Sequence, residues 1–138
     1  MVVFGSVVGA AQLISALERL DGGIGQAVGR AMARTAAGGE GIMKGKASGR
    51  PGPRVITGDF RRSIVGQVIG VSGGVWSIQI GSNAPQAARL EYGFSGPDIL
   101  GRVFDQPPFP YAGPSAPAIL QLGGDQVLAE VSKVLGAA

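Results

Sequence analysis

Apolar positions along the chain follow two rhythms, and the change from one to the other comes near residue 54. Leu13, Leu17, Leu20, Ile24 and Val28 recur at steps of three and four, the spacing that lines one face of a helix. The pattern predicts helices over about Gly9–Leu20 and Ile24–Ala37, joined at Asp21-Gly22-Gly23. Asp21 is placed to cap the second by accepting from its first free backbone N–H groups. Glu40–Ala47 reads as a further turn or two. Ser48-Gly49-Arg50-Pro51-Gly52-Pro53 then stops the helix, because two prolines and two glycines cannot sustain one. Past this breaker the period becomes two. Ile64–Val71 and Val75–Ile80 are short β-branched runs separated by Ser72-Gly73-Gly74. Trp76, Ile78 and Ile80 alternate with Ser77 and Gln79, which predicts a hairpin with one apolar and one wet face.

Gln86–Tyr92 reads as a short helix. Gly93–Pro117 holds six of the nine prolines and reads as an irregular loop, a feature that in compact domains is usually functional or mobile. A closing helix is predicted from about Ser115 to Leu135, with Val127, Leu128, Val131, Val134 and Leu135 on its apolar face and a break or bend at Gly123-Gly124. The expected class is α+β: N-terminal helices and a C-terminal helix packed on a small antiparallel sheet with a central hairpin. The 138 residues suit one domain, with a helical part at 1–50, the turn, hairpin and short helix at 55–92, the Pro-rich loop at 93–117 and the closing helix at 118–138.

Composition narrows the chemistry. The chain has neither histidine nor cysteine, so structural zinc, iron–sulfur clusters, disulfides, cysteine nucleophiles and Ser–His triads are excluded. The nine carboxylates form no acid/base couple or oxygen-only metal cage by spacing, and Glu18 and Asp21 are better explained as helix-end residues. Gly23-Ile24-Gly25-Gln26-Ala27-Val28-Gly29 approaches a dinucleotide fingerprint, but its third glycine is one position late and a helix precedes it. Gly41–Ala47 approaches a phosphate loop, but it is one residue short and has Ala47 where a hydroxyl is needed. No catalysis and no cofactor are expected.

Only 15% of residues are charged and 45% are hydrophobic, which leaves little polar material for a free surface and favours burial against neighbours. Residues 1–54 carry a balance of +4 and residues 55–138 a balance of −1. Arg30, Arg34, Lys44, Lys46, Arg50 and Arg54 are spread through the basic half without interleaved aromatics, which reads as a solvated face. A small, basic, non-specific DNA-binding protein is the alternative of another class. Met1–Leu17 is uncharged, but it lacks a positive n-region and is interrupted by Gly5, Ser6, Gly9, Gln12 and Ser15, so neither export signal nor membrane span is expected.

Thr57-Gly58-Asp59-Phe60-Arg61-Arg62-Ser63-Ile64 follows the breaker and feeds the first strand. Gly81-Ser82, then Ala87-Ala88-Arg89-Leu90-Glu91-Tyr92-Gly93, then Pro108-Phe109 and Pro117-Ala118-Ile119-Leu120 come after it. In this order the elements resemble a family of small neck and tail-completion proteins of long-tailed bacteriophages, over roughly residues 30–122. The chain departs from the family pattern at Ile56, where an acidic residue often stands, and in the spacing between Pro-Phe and Pro-Ala. The resemblance implies a non-enzymatic virion protein, made in the bacterial host cytoplasm. It would be a head-to-tail connector or tail-completion ring subunit at the capsid–tail junction, or else a tail terminator or minor tail protein. Expected partners are identical copies in a sixfold ring and other neck and tail proteins, with passive contact to genomic DNA in the lumen and none to membrane.

The Thr57 hydroxyl and Gly58 form a turn that aims Phe60 inward and Arg61 and Arg62 outward, with Ile64 and Trp76 completing the core motif. Glu91, at a helix C-terminus and wrong for the dipole, calls for a partner cation, with Arg61 or Arg62 as candidates. Tyr92, Phe109 and Tyr111 are candidate subunit-interface residues with these, and the Pro-rich loop and uncharged N-terminus are the expected docking parts.

Overall fold

The computed structural model describes residues 11–72 and 75–137. One helix, α1, runs unbroken over Ala11–Lys46 and spans about 54 Å. The expected join at Asp21-Gly22-Gly23 and the stop at Gly38-Gly39 do not occur, and Asp21 sits exposed inside the helix rather than at a cap. The expectations for residues 1–10 and for Gly73-Gly74 lie outside the described residues.

The correction has a packing cause. Ile24, Ala27, Ala31, Thr35, Gly39, Met43 and Ala47 are buried at steps of three and four, so the inward stripe of α1 is built largely of small residues. Glycine costs helix propensity, about 1 kcal/mol relative to alanine. Here it opens notches that neighbouring side chains occupy. A Cβ on Gly29 would come within 2.9 Å of the Trp76 ring, and one on Gly38 within 2.6 Å of Leu122. On Gly39 it would collide with Ile80 and press on Ile119.

The closing helix α4, Ala116–Ala137, lies antiparallel along α1, with Leu122 at Gly38 and Val134 at Gly23. It too continues through its glycine pair, against the expected break at Gly123-Gly124. A short 3₁₀ turn, Gly113–Ser115, leads into it. Helices and sheet thus share one core, and the chain is α+β as expected.

The first hairpin pairs β1, Ile64–Ser72, with β2, Val75–Ser82, antiparallel, with a register shift between Val68 and Gly70. Trp76, Ile78 and Ile80 are the less exposed positions of β2, and Ser77 and Gln79 face solvent, as the alternation predicts. The hairpin lies so close to α1 that a side chain on Gly66 would clash with the Ala36 carbonyl. Glu40 of α1 accepts the Gly66 N–H at 3.0 Å and pairs with Lys44 at 2.6 Å, which ties strand to helix.

Between the strands and α4 come α3, Ala87–Tyr92, and a second hairpin that the sequence did not suggest. It pairs β3, Phe94–Pro97, with β4, Val103–Gln106. The segment expected to be an irregular loop is therefore a two-stranded arm. The main core cluster joins Met43 of α1, Ala47 just past its end, Ile64 of β1 and Tyr111, with Phe60, Ile80, Leu90 and Ile119 packed around them.

Candidate functional site

The Thr57-Gly58 turn is as the sequence reads. Gly58 has φ 84°, in the left-handed region, and the Asp59 N–H donates to the Thr57 hydroxyl at 3.3 Å. A five-residue helix, α2, Asp59–Ser63, follows. It turns Phe60 onto the Tyr111 ring, edge to face at 5.0 Å, and leaves Arg61 and Arg62 exposed. Ile64 is fully buried, and Trp76 covers Gly29 at the far end of the hairpin.

Glu91 behaves differently from its expected role. Its partners are neither Arg61 nor Arg62 but three backbone N–H groups, of Tyr111 at 2.8 Å, Ala112 at 2.9 Å and Gly113 at 2.8 Å. Arg62 pairs instead with Asp59. Glu91 ends α3 but stands at the start of the 3₁₀ turn that leads into α4, where free N–H groups need acceptors. Its mismatch with one helix is resolved by service to the next. Burial pushes the Glu91 carboxyl up, and the three N–H donors outweigh it and hold it below the usual range.

This clasp also decides the fate of Tyr111. Expected at an interface, Tyr111 is 4% exposed and its hydroxyl donates to the Ala87 carbonyl at 3.3 Å, so it is a core residue of this chain. Burial, then the nearby Glu91 charge, raises its phenol pKa. Phe109 is half-buried, with the Arg50 guanidinium stacked 3.6 Å from its ring centre. Tyr92 is exposed.

Phe60, Leu90 and Phe109 form the floor of an open groove of about 750 Å³, within the range of ligand sites, about 300–1,000 Å³. Val55 and the exposed Ile56 form one wall, and Arg50, Arg54 and Arg61 line the rim. Among the described residues no carboxylate lines it. A smaller cleft beside it adds Lys44 and Arg62. Cations spread over residues 44–62 are thus gathered, because the 48–58 turn folds back beside the end of α1. Arg30 and Arg34 are not among them. They hold Glu130 of α4, with Lys133 at 3.3 Å, and Glu130 is 2% exposed. The bond from Arg30 leads in keeping its carboxyl below the usual range, against the cost of burial and with help from Lys133 and Arg34.

The second notable surface is the β3–β4 arm. Ile99 is fully exposed at its tip, Leu100 is 72% exposed, and Val103 and Phe104 are also exposed. The tip is nonetheless ordered by Asp98. One carboxylate oxygen accepts the Leu100 and Arg102 N–H groups at 2.9 Å each, and the other accepts the Arg102 guanidinium Nε–H at 2.8 Å. On α4, Leu120, Leu128 and Leu135 are exposed, so of the apolar face expected there only Val127, Val131 and Val134 are partly buried.

Among the described residues no group of three or more Asp or Glu could hold a metal ion, and no helix is long and apolar enough to cross a membrane. The groove rim, the arm tip and the Glu130 cluster escaped the sequence reading. A signal existed for the last: Arg30 and Arg34 share a helix face, and Glu130 interrupts the apolar run from Val127 to Val131. No protein-family model, curated protein or solved structure matches the chain.

Proposed function

We propose that this chain is a non-enzymatic structural subunit of a phage virion, a head-to-tail connector or tail-completion ring subunit at the capsid–tail junction. The observation that carries the reading is the apolar surface left uncovered on a single copy: Ile99, Leu100 and Val103 on the arm, and Leu120, Leu128 and Leu135 on α4. Exposed apolar surface of this kind marks protein contact sites. The ordered Thr57–Ile64 and Ala87–Gly93 motifs supply the resemblance that names the setting. In this role the glycine-notched core serves as a stiff body and the arm and outer α4 as its joints. A ring of identical subunits is heterologous, one face of each meeting a different face of the next.

The test is sedimentation and negative-stain imaging of the purified chain, followed by gold-labelled antibody on virions. Closed rings and label at the junction of head and tail are expected. A chain that stays monomeric at all concentrations, or label elsewhere on the particle, ends the reading.

The gathered cations Lys44, Arg50, Arg54, Arg61 and Arg62 favour a second reading, contact with a DNA phosphate backbone. That reading predicts duplex binding by the monomer, independent of sequence and lost steeply with salt. Binding that is absent at low salt removes it.

A further inference from the structure

We infer that the Arg-rimmed groove docks an acidic segment of a partner protein, one that carries carboxylates beside aliphatic or aromatic side chains. The apolar arm and α4 residues that support assembly into rings do not line the groove, so its occupancy does not require copies of this chain to associate. Arg50, Arg54 and Arg61 do line it, and among the described residues none of them pairs with a carboxylate. Carboxylates on the surrounding elements are engaged elsewhere. Asp59 pairs with Arg62, Glu40 with Lys44, and Glu91 accepts from the 111–113 amides. Asp105 adjoins the lining residue Gln106 on β4, yet it forms no ion pair with these arginines. Uncompensated positive charge concentrated in one concavity favours an incoming anion.

Arg50 is the best prepared of the three. Its guanidinium stacks 3.6 Å from the Phe109 ring centre, which fixes its plane. One in-plane N–H donates to the Gly52 carbonyl at 3.4 Å, and the others are left to grip a carboxylate edge-on. The surface between the arginines selects the kind of anion. Phe60, Leu90 and Phe109 form the floor, and on the wall Ile56 is 92% exposed beside Val55. A phosphodiester backbone would meet the cations and gain nothing from that floor. A small molecule would stay largely in water in so open a groove, whereas pockets that hold such ligands bury most of their surface. A stretch of chain with alternating carboxylates and apolar side chains satisfies rim and floor together.

Fluorescence anisotropy on the intact chain, with a labelled synthetic peptide of alternating glutamate and leucine, tests the site. Binding is expected, and it should weaken by about tenfold when glutamine replaces the glutamates or serine replaces the leucines. Arg54→Glu with Arg61→Glu should cost about tenfold as well, and Ile56→Ser about fivefold. All three residues are exposed, so the melting transition should not move. Should the rim pair misfold, Arg61→Gln alone replaces it, with a loss of about threefold. Absence of peptide binding at low salt overturns the site, as does a glutamine peptide or a folded rim variant that keeps full affinity. A serine peptide that binds as tightly as the leucine one, or an Ile56→Ser chain with wild-type affinity, reduces the groove to a patch of charge and overturns it too. Duplex DNA that binds the rim while the peptide does not assigns the cations to phosphate contact instead. Sedimentation of the wild-type chain decides ring formation separately from all of these.

Discussion

The two hairpins are built from the same kind of pairing and put to opposite uses. The first lies flat on α1, its Trp76 and Ile80 fitted into the spaces at Gly29 and Gly39, its backbone fastened by Glu40. Among the described residues the second pairs only with itself, and it turns Ile99, Leu100, Val103 and Phe104 to solvent. In the first, the inward residues Ile64, Trp76, Ile78 and Ile80 stabilise the fold, while Val65, Val68, Ile69 and Val75 on the same strands are exposed. In the second, apolar residues contribute little to a lone copy, and their retention there calls for a partner. The contrast shows that hydrophobicity alone does not locate a core; the matching cavity on the other side does.

Substitutions can break that contrast. The largest effect is expected at the anchored hairpin, where Ile64→Ala empties a fully buried site at a cost of about 2–5 kcal/mol in denaturant unfolding. A loss below about 1 kcal/mol would mean that the first hairpin is not fixed to the core. Next, Gly66→Val forces strand and helix apart against the Ala36 carbonyl, at about 1–3 kcal/mol. An unchanged midpoint would show that the two backbones are not so close.

The boundary between the regions is sharpened by Glu91→Gln, expected to cost about 1–2 kcal/mol through weakened bonds to the 111–113 amides. Because the folded carboxyl lies below the ordinary value of 4.5, its contribution is complete above that value and disappears as pH falls through the folded one. Wild type should therefore lose stability on acidification more steeply than the variant. Parallel acid curves would remove Glu91 from that role. The smallest effect belongs to the arm: Ile99→Ser should move stability by less than about 0.5 kcal/mol. A larger loss would mean that the arm packs on its own chain.

What could be read in advance follows the same division. The first hairpin and the turn at Thr57-Gly58 were legible, since alternation at Trp76, Ile78 and Ile80 and a glycine after a hydroxyl are local signals. The single long helix was not. Its eight glycines look like interruptions in sequence, and four of them, Gly23, Gly29, Gly38 and Gly39, prove to be clearances, a property that depends on Val134, Trp76, Leu122 and Ile80 far along the chain. The second hairpin was hidden by prolines and by strands whose apolar residues face water. Tyr111, set among prolines, looked available for contact until Glu91 drew residues 111–113 over the core. The groove was partly visible: Thr57, Gly58, Phe60, Arg61 and Phe109 all line it, but Arg50, Arg54 and Ile56 join them only through the fold of the 48–58 turn.

The clasp formed by Glu91 has an architectural result. Together with the Phe109 N–H on the Leu90 carbonyl at 2.7 Å, it cinches the chain at the two ends of the excursion between α3 and the 3₁₀ turn. Whatever lies between those ends is therefore interchangeable cargo, because its entry and exit are fixed by backbone bonds outside it. A lineage could lengthen, shorten or replace residues 94–106 and so change which mate the molecule fits, while the body beneath keeps its shape.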